Sequence, residues 1–169
     1  ALKYSCNDVL GQISDRISDD QFINRIKQLG FGEKTGIELS GETSGFVKDP
    51  DNKTWSARSK PTIAIGQEIS VSALQMVQAA TAIANGGVPV KLRVISKITD
   101  KEGNTVYEAA PEERERAFRK GTADYILSCM ETTATTGTGS RANIGDVAIG
   151  VKTGTAQMAD KENGGYSDT

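Results

Sequence analysis

Between Asn7 and Leu29 the apolar positions recur at helical spacing in two runs, Leu10, Ile13 and Ile17, then Phe22, Ile26 and Leu29. Ser18-Asp19-Asp20 separates them and offers an N-cap to the second helix, and Gly30 stands where a helix-ending glycine belongs. Residues 30–61 show no period and are punctuated by Gly32, Gly36, Gly41, Gly45, Pro50 and Pro61, so this stretch is expected to be a structured surface excursion. Ser72-Ala73-Leu74-Gln75 spells a capping box, opening a helix with Leu74, Val77, Ala80 and Ile83 on its apolar face and Asn85-Gly86-Gly87 as its stop. Leu92 to Thr99 reads as a strand, Asp100 to Asn104 as a turn, and Thr105-Val106-Tyr107 as the returning strand. Thr122 is the expected cap of a further helix that buries Ile126, Leu127, Met130 and Ala134. An apolar run, Val147 to Val151, then reads as a strand leading into Lys152-Thr153-Gly154-Thr155. Helices and strands mix without regular alternation, which predicts an α+β chain.

Composition narrows the chemistry. The 169 residues carry 20 Lys+Arg against 22 Asp+Glu, a formal net charge of −2 with no dominant basic face, so no nucleic-acid partner is expected. No apolar run approaches the roughly 20 residues that cross a bilayer. Histidine is absent, which removes Ser-His-Asp and Cys-His catalysis and every His-ligated metal. Cys6 and Cys129 are too few and too far apart for a zinc knuckle or disulfide scaffold and read as packed side chains. No cofactor and no metal are expected. Chemistry here must run on hydroxyls, lysines, carboxylates and backbone amides.

Three motifs compete. Gly137-Thr138-Gly139-Ser140-Arg141-Ala142 fits a dinucleotide fingerprint, but a helix rather than a strand precedes it, so it reads as a loop. Gly145 to Thr153 nearly spells a phosphate-binding loop, yet Val151 separates the last glycine from Lys152 and an apolar run fills the interior. Lys152-Thr153-Gly154-Thr155 presents an ammonium, hydroxyls and a bare glycine, a strip able to dock an extended peptide and hold its carboxylate. Alone, that triplet reads equally as a solvated strand end.

Ser5-Cys6-Asn7 tips the balance. S-x-x-K, S-D-N and K-T-G are the motif set of class A β-lactamases and penicillin-binding proteins. Ser5-Cys6-Asn7 fits the looser S-x-N form and precedes Lys152-Thr153-Gly154 in the right order. With these, Leu29 to Ile37, Gly41-Glu42 with Gly45, Ile65-Gly66-Gln67, Leu74-Gln75, Ala84 to Gly87, Gly137-Thr138-Gly139 and Lys152 to Gln157 resemble the transpeptidase domain of class B penicillin-binding proteins. The resemblance runs over essentially the whole chain. One departure is Val151, where the family usually carries glycine.

The resemblance implies a serine β-lactamase-like fold of antiparallel strands with flanking helices. It implies peptidoglycan cross-linking, in which a serine of S-x-x-K attacks a D-Ala-D-Ala stem peptide, and acylation of that serine by β-lactams. Ser5 would relay a proton, Asn7 would hold the substrate amide, and Lys152 would supply positive potential. Thr153, Gly154 and Thr155 would line the substrate, with the Thr155 hydroxyl on the carboxylate and its N–H on the oxyanion. No serine here is followed three residues later by lysine, so residues 1–169 are expected to be the middle portion of one transpeptidase domain, truncated at both ends, with the S-x-x-K helix and terminal strands outside it. The parent is expected outside the cytoplasm, membrane-anchored through another segment, among cell-wall synthesis partners. A non-catalytic scaffold of the same family is the competing expectation, decided by whether S-x-x-K precedes Ala1.

Overall fold

The computed structural model describes residues 1–155 and the backbone of two short strands beyond them, Met158–Ala159 and Tyr166–Ser167. Residues 156–157, on which the end of the family likeness falls, lie outside the described residues. The chain divides into two compact units. The first is Ala1–Phe22, Lys48–Ile69 and Ser128 onward, and the second is Ile23–Val47 with Ser70–Leu127.

The first unit begins with a 3₁₀ turn, Leu2–Tyr4, followed by α1 (Asn7–Ser14) and the first turn of α2 (Asp19–Gln28). Ser18 and Gln21 form the capping box that opens α2, each backbone N–H reaching the other's side chain at 3.2 Å. Helix α3 (Ser59–Ala64) lies in the stretch that the sequence reads as loop. Pro61 is its third residue, within the first turn, where a missing N–H has no helical partner to lose. Helix α3 packs on α1, with Pro61 opposite Gly11, and Ser59 and Ile63 buried. Trp55 donates its indole N–H to Asp19 at 2.8 Å, and Lys60 pairs with the same carboxylate at 2.9 Å. The hydrogen bonds from Lys60 and then Trp55 hold the Asp19 carboxyl below its usual range.

In the second unit the rest of α2 contributes the buried Ile23, and Gly30 ends that helix at φ +91° as predicted. The capping box of α4 (Ala73–Ala84) forms as read, with Ser72 and Gln75 satisfying each other's backbone N–H. The buried face of α4 does not follow the apolar pattern. Val77 is 52% exposed and Ala80 is exposed, whereas Gln75, Gln78 and Ala82 are fully buried. The reason is hydrogen bonding: the Gln75 amide donates to the carbonyls of Glu33 at 2.7 Å and Ser44 at 2.8 Å, holding the 30–45 loop to the helix. Glu42 closes the same loop on itself, accepting from the Thr35 hydroxyl at 2.6 Å and the Thr35 and Gly36 amides. The Thr35 hydroxyl is the chief reason its carboxyl stays below the usual range.

The predicted hairpin is present but shorter. Strand pairing is confined to β3 (Lys97–Thr99) and β4 (Thr105–Glu108), antiparallel around the Asp100–Asn104 turn, instead of starting at Leu92. The Ser96 carbonyl still accepts from the Ala109 amide at 2.9 Å, but further back the Val94 amide turns to the Glu38 carboxylate instead of a ladder partner. Strands β1 (Phe46–Val47) and β2 (Ile69–Ser70) lie where the chain passes from one unit to the other. Helix α5 (Lys120–Thr136) starts before Thr122, which therefore sits inside the first turn and is not its cap. Ala123, Thr133 and Ala134 are its fully buried positions, and Ile126, Leu127 and Met130 are half-buried beside them. None of the helices among the described residues is long and apolar enough to cross a membrane.

Candidate active site

The site residues named from the sequence, Ser5, Asn7 and Lys152 to Thr155, all fall in the first unit. Ser5 ends the opening 3₁₀ turn in left-handed backbone, φ 51° and ψ 45°, a conformation that costs a non-glycine residue about 1–3 kcal/mol and persists where surroundings impose it. Here the Ser5 and Cys6 amides are tied back to the carbonyls of Leu2 and Ala1, both at 3.2 Å. This kink lifts the Ser5 hydroxyl out of the turn just before α1 begins at Asn7, with Cys6 at the N-cap position.

The other half comes from beyond α5. Glycines 137 and 139 fold back under the helix, their amides reaching the Thr133 carbonyl at 3.1 and 3.2 Å. Ser140–Ala142 makes a 3₁₀ turn, confirming the reading of this motif as loop and not as a nucleotide fingerprint. The expected strand at Val147 to Val151 does not form. Its backbone makes one isolated bridge, Ile144 to Val147, and the Val151 amide bonds to the Met130 carbonyl of α5 at 3.1 Å, so the run is anchored to a helix and not to a ladder.

Across 147 residues of sequence, the Lys152 ammonium donates to the Ser5 hydroxyl at 2.7 Å. Lysine has donors only, so Ser5 Oγ accepts and the Ser5 proton is left for a third group. Lys152 is exposed and also donates to the Thr153 carbonyl. Thr153, half-buried, pairs its hydroxyl with that of Thr138 at 2.9 Å. Asn7, Gly154 and Thr155 are exposed, and the space a side chain at Gly154 would occupy is open. The structure thus brings Ser5 and Lys152 together and leaves Asn7 and Thr155 facing solvent. In the sequence, Thr138 stands out only within a Gly-Thr-Gly stretch, with no site role of its own. The paired small residues were the signal, but only the fold shows what they approach. Among the described residues no three His, Cys, Asp or Glu side chains gather into a metal-holding group.

Comparison with known proteins supplies the family. Stage V sporulation protein D of Bacillus subtilis is 32% identical over 160 residues, covering 92% of this chain and 24% of that protein. Penicillin-binding protein PbpB of Mycobacterium tuberculosis is 30% identical over 163 residues, again covering 92% of this chain and 24% of its own length. The crystal structure of penicillin binding protein 3 from Mycobacterium tuberculosis complexed with ampicillin superposes with a TM-score of 0.87 at 29% identity, over 99% of this chain and 38% of that one. The chain therefore spans about a quarter of the curated relatives it matches, 24% in both cases. The family description that matches residues 1–169 is the penicillin binding protein transpeptidase domain. Matched by that description over its whole length, the chain belongs to the penicillin-binding protein transpeptidase family.

Proposed function

We propose that this chain is the substrate-holding portion of a serine-type peptidoglycan D,D-transpeptidase. The Lys152–Ser5 hydrogen bond at 2.7 Å is the observation that carries the reading. It joins two of the three motifs of serine acyl-transfer enzymes, which need no histidine. In the whole protein an S-x-x-K serine outside these residues attacks the penultimate carbonyl of a D-Ala-D-Ala stem peptide. The C–N bond breaks, D-Ala leaves with a proton, and an amine of a neighbouring stem then displaces the serine oxygen to form the cross-link. β-Lactams enter the same first step and remain attached.

Ser5, its oxygen held by Lys152 and its own proton without a partner among the described residues, relays a proton to the leaving amine. Lys152 supplies the positive potential that draws the substrate carboxylate. Asn7 holds the substrate amide. The Thr153 and Thr155 hydroxyls receive the carboxylate, the Thr155 N–H faces the oxyanion, and Gly154 leaves room for the substrate backbone. This places the reaction where peptidoglycan lies, on the outer side of the cytoplasmic membrane, with anchoring supplied by a segment other than these residues and with cell-wall synthesis proteins as partners.

The test is the second-order acylation rate by a β-lactam in the full-length protein. Losing an oxyanion-type donor costs about 10²–10³ in rate. Thr155→Ala keeps its main-chain N–H and weakens carboxylate binding, while Lys152→Ala and Ser5→Ala slow acylation severely. Acylation of Lys152→Ala at the unmodified rate refutes the catalytic reading of this motif.

A further inference from the structure

We propose that the Gly137-Thr138-Gly139 turn is the element that sets the Ser5–Lys152 distance, with Thr138 as its positioning residue. The inference rests on the transpeptidase reading and assigns to that site a part that neither motif contains.

The turn touches both halves of the site. On one side the Thr138 amide donates to the Lys3 carbonyl at 3.1 Å, two residues before Ser5. On the other, the Thr138 hydroxyl meets the Thr153 hydroxyl at 2.9 Å, one residue after Lys152. Residue 138 therefore bridges the two chain segments whose side chains make the 2.7 Å Lys152–Ser5 contact.

The flanking glycines serve close approach. A Cβ at Gly137 would lie 2.5 Å from the Lys3 carbonyl oxygen and 2.8 Å from the Thr133 Cα, distances no side chain tolerates. A Cβ at Gly139 would lie 2.1 Å from Cγ2 of Val151. Gly139 has φ −96°, so space and not backbone freedom explains the glycine there. Val151 is the position where this chain departs from the family's usual glycine, and its side chain occupies the room that Gly139 leaves. The two residues are a matched pair that lodges the lysine segment against the turn.

Thr138 is itself exposed, so its hydroxyl pair contributes to placement and little to the core. A structural role and a positioning role then give different results. In the full-length protein, Thr138→Val keeps the shape and removes the hydroxyl, and Thr138→Ser keeps the hydroxyl. Thr138→Val is expected to slow β-lactam acylation about five- to tenfold, the effect of one lost hydrogen bond, with an unchanged melting temperature and with Thr138→Ser acylated at nearly the unmodified rate. Gly139→Ala is expected to slow it further, and adding Val151→Gly to restore it in part.

The ¹³Cε NMR signal of Lys152 supplies a readout that does not depend on turnover. It is expected to move in Thr138→Val and to stay in place in Thr138→Ser. If the unmodified protein is not acylated at all, the transpeptidase reading fails while this signal still decides the positioning claim. An unmoved Lys152 signal in Thr138→Val, equal acylation of Thr138→Val and the unmodified protein, or no effect of Gly139→Ala overturns the proposal.

Discussion

Gln75 is the polar side chain on which the second unit depends most, and replacing it gives a quantitative test. It is fully buried, its Oε1 accepts from the Ser72 amide at 2.8 Å, and its Nε2 donates to the Glu33 and Ser44 carbonyls at 2.7 and 2.8 Å. Gln75→Leu keeps the volume but strands three backbone groups. Each buried group left without a partner costs about 1–3 kcal/mol, and the three together outweigh the about 1–2 kcal/mol that added apolar burial returns, for a net loss of about 1–8 kcal/mol. Gln75→Glu is more informative. One carboxylate oxygen still accepts from Ser72, but the other faces two carbonyl oxygens, so the charged form is disfavoured and the folded-state pKa rises above the ordinary value of about 4.3. The native state of that variant then holds a proton that the unfolded state has lost. Its deficit is absent below the unfolded pKa, grows as pH rises through it, and is complete above the folded pKa. Urea unfolding followed by circular dichroism at neutral pH and near pH 4 measures both effects. A Gln75→Leu variant within about 0.5 kcal/mol of the unmodified chain, or a Gln75→Glu deficit that ignores pH, would refute the hydrogen-bond account of α4.

Three further outcomes are expected. The Asp19 carboxyl is held low by Lys60 and Trp55, so its stabilising contribution is present above its unfolded pKa of about 3.9 and is lost as pH falls through the lower folded value. Fluorescence of Trp55, the only tryptophan, should change in that acidic window, and Asp19→Asn should abolish the transition; a transition that survives the substitution contradicts the assignment. Gly87 has φ +97° and a Cβ there would meet the Phe118 carbonyl oxygen at 1.9 Å, so Gly87→Ala should destabilise by about 2–3 kcal/mol or more in thermal or urea unfolding, and a neutral result would show that the segment can shift. The 169-residue chain by itself should form no covalent adduct with labelled penicillin, since it contains no Ser-x-x-Lys; a stoichiometric, heat-stable label on one of its serines would contradict this.

Much of the local structure was written in short-range pattern. The two helices before Gly30, the Ser72 capping box, the Asp100–Asn104 turn and the Asn85-Gly86-Gly87 stop all depend on neighbours within a few residues, and all form, although α1 stops at Ser14, short of Ile17. Family membership was legible for the same reason, because S-x-N and K-T-G are contiguous words in a recognisable order. Tertiary structure decided the rest. Apolar spacing pointed to Val77 and Ala80 as the buried face of α4, but the carbonyls of a distant irregular loop needed donors, and only Gln75 could supply them from inside. The run before Lys152 had the composition of a strand, yet a strand exists only with a partner, and here the Val151 amide bonds to the Met130 carbonyl within α5. Ser5 and Lys152 could be named from sequence, but not their 2.7 Å contact, nor the turn at Thr138 that reaches both of their segments. Local pattern records what a residue prefers among its near neighbours; which residues meet across 147 positions is settled only when the backbone has closed and every buried polar group has found its partner.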